Sequence, residues 1–103
     1  MNTIYNYKLT RELQQDVEFP RGARILSVQS LGVHIWIWAM VDPEETARDY
    51  RRIIILKTGE EIPFHTDLLE YLGTVQFEDG ATVLHVFEMP SETKHNWPTK
   101  IAK

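Results

Sequence analysis

Residues 33–41 read V-H-I-W-I-W-A-M-V, and their alternation decides the fold. One face of the predicted strand is aliphatic and contains Val33, Ile35, Ile37, Ala39 and Val41. The opposite face contains His34, Trp36, Trp38 and Met40. Because successive side chains of a strand point to opposite sides of a sheet, neither face of this strand suits water. We therefore expect it in the middle of a covered sheet, or at a surface where another molecule binds.

Length and composition indicate one domain without covalent cross-links. The chain has 103 residues and no cysteine, which excludes disulfides and cysteine-based zinc sites and suits a reducing, cytoplasmic compartment. No apolar run is long enough to span a membrane, and the N-terminus lacks a secretory signal pattern, so we expect no membrane partner. The net charge of −4 disfavours nucleic acid as a partner, although a local basic patch remains compatible with it.

Short strand patterns separated by turn signals fill the rest of the chain. The predicted strands are residues 4–9, 14–19, 24–30, 33–41, 50–57, 71–77 and 81–88. One or two short helical turns are predicted, near residues 42–45 and 67–70. The resulting fold class is all-β, with about seven antiparallel strands in a small sandwich or a partly closed barrel. Residues 1–89 form this single domain, and residues 90–103 are predicted to be a polar, mobile tail.

Two predicted hairpins echo each other within the chain. Val28-Gln29 recurs as Val75-Gln76, 47 residues later, and the same shift carries Trp38 onto His85. Both segments read as strand, turn, strand. They either form pseudo-equivalent halves of the domain or resemble each other only because amphipathic hairpins align easily.

Motifs for catalysis or metal binding are absent from the sequence. The histidines are His34, His65, His85 and His95, and none has the short spacing typical of a metal site. The S-x-x-K string at residues 91–94 and the K-T-G string at residues 57–59 occur in the wrong order and in too short a chain for a serine penicillin-recognising enzyme. Most acidic side chains cluster in turns, as solvated loops do. We therefore predict no enzyme, no catalytic residues, no metal and no cofactor.

The candidate binding residues are cationic side chains and the aromatic side chains of the central strand. The cationic candidates are Arg21, Arg24, Arg51, Arg52 and Lys57. Arg51 and Arg52 point to opposite faces of one strand, and one of them together with Trp36 or Trp38 would form a nucleotide pocket. The alternative is that both are ordinary strand-end charges that guard a sheet edge.

The two tryptophans of the central strand admit three interpretations: core, ligand platform or subunit interface. We assign Trp38 to the core and Trp36 to an interface, because a short chain cannot easily cover both faces of the strand. His85 is expected to be a hydrogen-bonded histidine of the core or its rim, and His34 a histidine of the rim. The candidate ligand or interface residues are thus His34, Trp36, Met40, Arg51, Arg52 and His85.

Four motifs resemble a family of small proteins encoded by phages and prophages. They are F-P-R-G-A-R-I-L-S-V-Q at 19–29, W-A-M-V-D-P-E at 38–44, the T-G turn at 58–59, and Y-L-G-T-V-Q with H-V-F-E at 71–88. The resemblance implies an accessory protein of the host-cell cytoplasm that binds a host defence protein or sequesters a nucleotide signal. The alternative is a phage assembly module that self-associates through its central strand, and both imply a homo-oligomer.

Overall fold

A computed structural model describes residues 1–77 and 80–90 and confirms the all-β fold class. Its strands are β1 (Thr3–Leu9), β2 (Gln14–Pro20), β3 (Arg24–Leu31), β4 (His34–Val41), β5 (Arg48–Lys57), β6 (Glu70–Gln76) and β7 (Val83–Met89). In the described part of the chain the only helical element is a 3-10 turn at Thr66–Leu68, so no described helix could cross a membrane. The mobile tail predicted at residues 90–103 falls, after Pro90, outside the described residues.

The strands form two antiparallel sheets, with the orders β1-β4-β3 and β2-β5-β7-β6. Of the two predicted architectures a sandwich fits, because these sheets do not join into a closed barrel over the described residues. The aliphatic face of β4 is buried in the core, where Ile35, Ile37 and Ala39 have no exposed surface. Ile53 and Val86 of the second sheet belong to the same apolar cluster.

Only one of the two helical turns suggested by the sequence is present. The 3-10 turn at Thr66–Leu68 matches the prediction at residues 67–70. The segment after β4 is instead a turn, in which Glu45 N–H donates to the Asp42 carbonyl at 3.0 Å and Glu44 N–H to the Asp42 carboxylate at 3.0 Å. Asp42 therefore caps a turn that β5 takes over before a helix can propagate.

The strand buried on both faces is β5 rather than β4, so of the two placements expected for β4 the fully buried one is not found. Ile53 and Ile55 of β5 face the core, while Ile54 and Leu56 point to the outside of the second sheet and are also buried. The chain between β5 and β6 folds back over that outer side. Its Phe64 and Leu69 pack there with Phe87 and Met89, which complete a second, smaller apolar cluster.

The two echoing hairpins are pseudo-equivalent in their strand register. Ser27, Val28 and Gln29 of β3 pair with Trp38, Ile37 and Trp36 of β4. The same pairs recur 47 residues later, where Thr74, Val75 and Gln76 of β6 pair with His85, Leu84 and Val83 of β7. Each hairpin carries a register shift near its open end, between Ile25 and Ser27 and between Tyr71 and Gly73. Each sheet thus contains one copy of the same β-hairpin.

Candidate functional site

The polar-aromatic side of β4 forms the outer surface of the first sheet. Trp36, Trp38 and Met40 are half-buried there and His34 is exposed. None of the four belongs to either apolar cluster of the interior. Trp38 is therefore not a core residue, contrary to the prediction, because its even position puts it on the same side as Trp36. We call this outer side of the first sheet the indole face.

Strand pairing determines which side chains flank the two indoles. On β1, Lys8 lies opposite Trp36, Asn6 opposite Trp38 and Ile4 opposite Met40. On β3, Gln29 lies opposite Trp36 and Ser27 opposite Trp38, and Arg24 and Leu31 pair with Met40 and His34. Directly opposite side chains are neighbours about 5 Å apart. The indoles therefore lie in a row bordered by polar and cationic groups on both sides.

The indole face is cationic although the chain as a whole is acidic. Its charged side chains are Lys8 and Arg24, both exposed. No Asp or Glu occupies an outward position of β1, β3 or β4. The nearest carboxylate along β4 is Asp42, which follows the end of the strand and lies 3.9 Å from the N-terminal ammonium group. This face thus attracts anions within a molecule whose net charge is −4.

Neither apolar cluster of the described residues extends over the indole face. The pseudo-equivalent face of the second sheet has a cover, since Phe64 and Leu69 of the β5–β6 connection lie on it. On the first sheet, by contrast, the two connections that join β4 to its chain neighbours are short turns. Half-buried tryptophan without an intramolecular cover is typical of a surface that binds something else.

Arg51 lies on the second sheet and lines a cavity that contains neither tryptophan. The cavity measures about 670 Å³ and is lined by Asp16, Arg21, Gly22, Ala23, Arg48, Asp49, Tyr50, Arg51, Arg52, Glu70, Glu88, Met89 and Pro90. Four of these side chains are cationic and four are anionic. We call this space the arginine cavity.

All three guanidinium nitrogens of Arg51 are used within the fold. Its Nε and Nη2 donate to the two Glu88 carboxylate oxygens at 2.7 and 2.9 Å, and its Nη1 donates to the Ala23 carbonyl at 2.7 Å. The guanidinium also lies 5.1 Å from the centre of the Phe19 ring. The hydrogen bond to Glu88 raises the pKa of Arg51, against the effect of burial and with help from Asp49 and Glu70. Arg51 is therefore a structural cation that closes one end of the core.

Arg52 points to the other face of β5, as predicted. Its Nε donates to Asp16 at 2.9 Å and its Nη2 at 3.4 Å, and Asp16 is its direct neighbour across β2. Neither arginine is an ordinary strand-end charge, because Arg52 is buried and Arg51 is largely so. The predicted nucleotide pocket, which combined one of these arginines with Trp36 or Trp38, is not assembled, because the arginines and the indoles lie on different sheets.

His85 lies on the outer side of the second sheet, away from the indole face. Its Nε2 is 2.7 Å from Thr58 Oγ1 and its Nδ1 is 3.0 Å from Thr74 Oγ1. Tyr71 OH extends this chain of hydrogen bonds, at 2.6 Å from Thr74 Oγ1. The hydrogen bonds expected for His85 are therefore present. Trp36, His34 and Met40 are the predicted site residues that the fold brings together.

The side chains of the indole face are suited to binding a ligand. It offers two aromatic planes, amides, a hydroxyl and two permanent cations, but no carboxylate positioned as a base. Across the two described ranges, no group of three His, Asp or Glu side chains is arranged to hold a metal ion. Such a surface binds by stacking, apolar burial and charge attraction.

Sequence reasoning missed Lys8 and Glu88. Lys8 lies on a strand 28 residues before Trp36, and only the β1–β4 register makes it a neighbour of the indole. Glu88 belongs to the last strand, and the sequence does not show that it meets Arg51. A signal for Lys8 was present in the alternation of β1, where Ile4, Asn6 and Lys8 share one face.

Comparisons with known proteins identify the chain by one family model. That model, described as a domain of unknown function (DUF7352), matches residues 1–96. Neither a curated protein nor a solved structure matches the chain.

Proposed function

The chain belongs to the DUF7352 family, and we propose that it is a non-enzymatic phage accessory protein that antagonises a host defence by binding. In this proposal it acts in the host-cell cytoplasm and uses the indole face to occupy a component of the defence system, either a protein or a nucleotide signal. The observation that carries the proposal is a row of two half-buried tryptophans that belong to neither apolar cluster of the described residues.

Binding that covers the exposed part of an indole removes apolar surface from water, which is favourable. A tryptophan buries on the order of 150–250 Å² when fully covered. At about 25 cal/mol per Å², covering the part of each half-buried ring that is still exposed contributes at most about 2 kcal/mol. Two adjacent rings therefore provide the kind of anchor that dominates binding energy at small interfaces. The engaged arginines of the arginine cavity provide no comparable free group.

The experiment compares phage growth on a defended host for the wild-type gene, a deletion and two matched substitutions. Trp36→Glu places a charge in the indole row, and we expect it to reduce growth to the level of the deletion. Leu68→Glu is the control, because Leu68 is an exposed apolar residue of the 3-10 turn on the other side of the molecule. It should grow like wild type.

Circular dichroism of the purified variants must show unchanged β-structure before the phenotype is interpreted. Growth of the deletion phage equal to that of wild type on every defended host would contradict an anti-defence role. Equal effects of Trp36→Glu and Leu68→Glu would contradict the assignment of the indole face.

A second candidate function is assembly of the phage particle through self-association. It is favoured by the aliphatic residues at the margin of the indole face, where Ile4 and Leu31 are both more than half exposed. This function predicts a homo-oligomer in sedimentation analysis, a lower oligomeric order for Trp36→Glu, and the protein in purified virions by mass spectrometry. A monomer that is absent from virions would exclude it and favour the first proposal.

A further inference from the structure

We propose that the ligand of the indole face is a single-stranded nucleic acid, with bases stacked on Trp36 and Trp38 and phosphates held by Lys8 and Arg24. This inference goes beyond the proposed function: it concerns the same surface but assigns it a ligand class that is neither a protein nor a nucleotide signal. The net charge of −4 disfavours nucleic acid as a ligand. The strand register nevertheless brings Lys8 and Arg24 to this face, which has no acidic side chain.

The spacing of the two indoles suits successive bases of an extended strand. Trp36 and Trp38 are alternate residues of β4, so their Cα atoms are about 6.7 Å apart along the strand. Two bases that are splayed apart can each use one aromatic side chain at that spacing, as in sheet-based RNA-binding modules. Stacking tolerates any base because every base presents an aromatic plane.

Polar groups flank the indoles where sugar, phosphate and base edges would lie. Lys8 is opposite Trp36 on β1, and Arg24 is opposite Met40 on β3, so the cations lie on both sides of the row. Gln29 and Asn6 pair with the two indole positions. Both amides have donors and acceptors for the exposed edges of unpaired bases.

The charge of the face argues against the other occupants. A symmetric contact between two copies would bring Lys8 and Arg24 towards the same cations of the second copy, with no carboxylate on the face to neutralise them. A free mononucleotide needs a concave site, whereas neither indole lines any of the five cavities described. A duplex hides its bases from a flat sheet. An extended single strand is anionic, needs no concave site and exposes its bases.

The test is fluorescence anisotropy of labelled 12-nucleotide strands, oligo(dT) and oligo(U), titrated with the full-length protein at 50 and 200 mM salt. We expect saturable binding of at least one strand, at least ten-fold weaker binding of a 12-base-pair duplex, and quenching of indole fluorescence. Two phosphate contacts predict that log K falls with log salt with a slope of about −1.4. Mononucleotides and cyclic dinucleotides serve as competitors and should compete poorly.

Substitutions separate stacking from charge. We expect Trp36→Ala to weaken binding roughly five-fold or more, as measured for other base–aromatic stacks. Lys8→Gln and Arg24→Gln should each lower the magnitude of the salt slope by about 0.7. Lys57→Gln is the matched control, since it removes one exposed cation from the second sheet and should leave the salt slope unchanged. The Lys8 and Arg24 variants retain every core residue, so they remain informative if Trp36→Ala fails to fold.

Four results would overturn the inference. They are no binding of any strand at 50 mM salt, equal binding of duplex, tight competition by a mononucleotide or cyclic dinucleotide, and equal effects of Lys57→Gln and Lys8→Gln. If no strand binds while Trp36→Glu still abolishes growth on the defended host, the nucleic-acid inference is wrong and the proposed function stands. If strands bind but Trp36→Glu does not reduce growth on the defended host, the nucleic-acid inference stands and the proposed function is wrong.

Discussion

At the scale of single residues, the Arg51–Glu88 ion pair closes the core of the sandwich at one end. The Glu88 side chain is 9% exposed and the Arg51 side chain 22%, and the guanidinium uses two nitrogens for the carboxylate. Bidentate pairs of this kind fix geometry as well as charge. Breaking a buried pair from one side leaves a desolvated charge without its partner, which costs more than the pair itself contributes.

We predict that Glu88→Gln lowers the free energy of unfolding by about 2–3 kcal/mol, because the amide cannot neutralise Arg51. Urea denaturation measures the change. Glu18→Gln is the control, since its contact with Arg48 is 3.5 Å long and both side chains are over 40% exposed. A surface pair of this kind contributes under about 1 kcal/mol. Equal losses in the two variants would show that the Arg51–Glu88 pair has no special role.

Tyr7 provides the pH-dependent prediction. Burial raises the pKa of its phenol, with Arg48 opposing and Tyr5 adding to the shift, and its ring packs 4.6 Å from the ring of Phe19. Below about pH 10 a tyrosine is neutral in both folded and unfolded chains, so it adds no pH dependence. Above that pH the unfolded chain loses its proton first, and stability falls.

We therefore expect Tyr7→Phe to lose less stability than wild type between pH 9 and 11, as measured by urea midpoints on that range. The substitution keeps the aromatic contact and removes only the titrating group. An alkaline slope identical to that of wild type would show that the raised pKa of Tyr7 does not contribute.

At the scale of elements, β5 is buried on both faces, although the sequence of β4 is the one that suggests such burial. β4 has the longer pattern of apolar residues on both faces, yet its outer side is only half-covered. β5 carries Arg51 and Arg52, yet its four following residues are buried on both sides. The difference is the β5–β6 connection, which is long enough to fold back and bring Phe64 and Leu69 onto the second sheet.

This difference in burial predicts unequal costs for truncating the outer faces of the two strands. Ile54→Ala on β5 should lower the free energy of unfolding by about 2–4 kcal/mol, because it leaves a cavity in the smaller apolar cluster. Met40→Ala on β4 should lower it by less than about 1.5 kcal/mol, because its side chain is already partly in water. A Met40→Ala loss as large as that of Ile54→Ala would mean that the indole face is covered in the isolated chain.

At the scale of the whole molecule, the two sheets meet most closely where β3 passes β6. Ser30 Oγ donates to the Gln76 carbonyl across this junction at 2.8 Å. A Cβ on Gly73 would lie 3.3 Å from the Val28 Cβ, closer than side chains normally approach. Val28 is itself buried in the core and has little room to move. Glycine at position 73 therefore sets the distance between the sheets.

We predict that Gly73→Ala destabilises the protein by about 1 kcal/mol, since the clash with Val28 outweighs the entropy that alanine removes from the unfolded chain. Val28→Ala should reduce or abolish that loss, because it removes the atom nearest the new methyl group. A double-mutant cycle in urea measures the coupling. Additive losses would show that the strain at Gly73 arises elsewhere.

The sequence by itself determined the strands, the fold class and the aliphatic face that fills the core. These follow from local rules: an alternation of period two, turn residues at the boundaries, and the absence of any helix-length amphipathic pattern. It also placed Trp36, His34 and Met40 on one face, because side-chain direction within a strand depends only on parity. The echo of the two hairpins was visible as well, although its meaning was not.

Tertiary structure alone decided which strand received a cover and which charges became neighbours. Strand pairing joins Lys8 and Arg24 to the indole row, and it joins Arg51 to Glu88 over a sequence separation of 37 residues. Parity along one strand carries no information about the partner strand or its register. Parity already puts Trp38 on the same face as Trp36, so its assignment to the core required that face to be buried, and neither apolar cluster includes it. Whether an apolar face is buried depends on a segment far along the chain, here the connection that lies over the second sheet rather than the first.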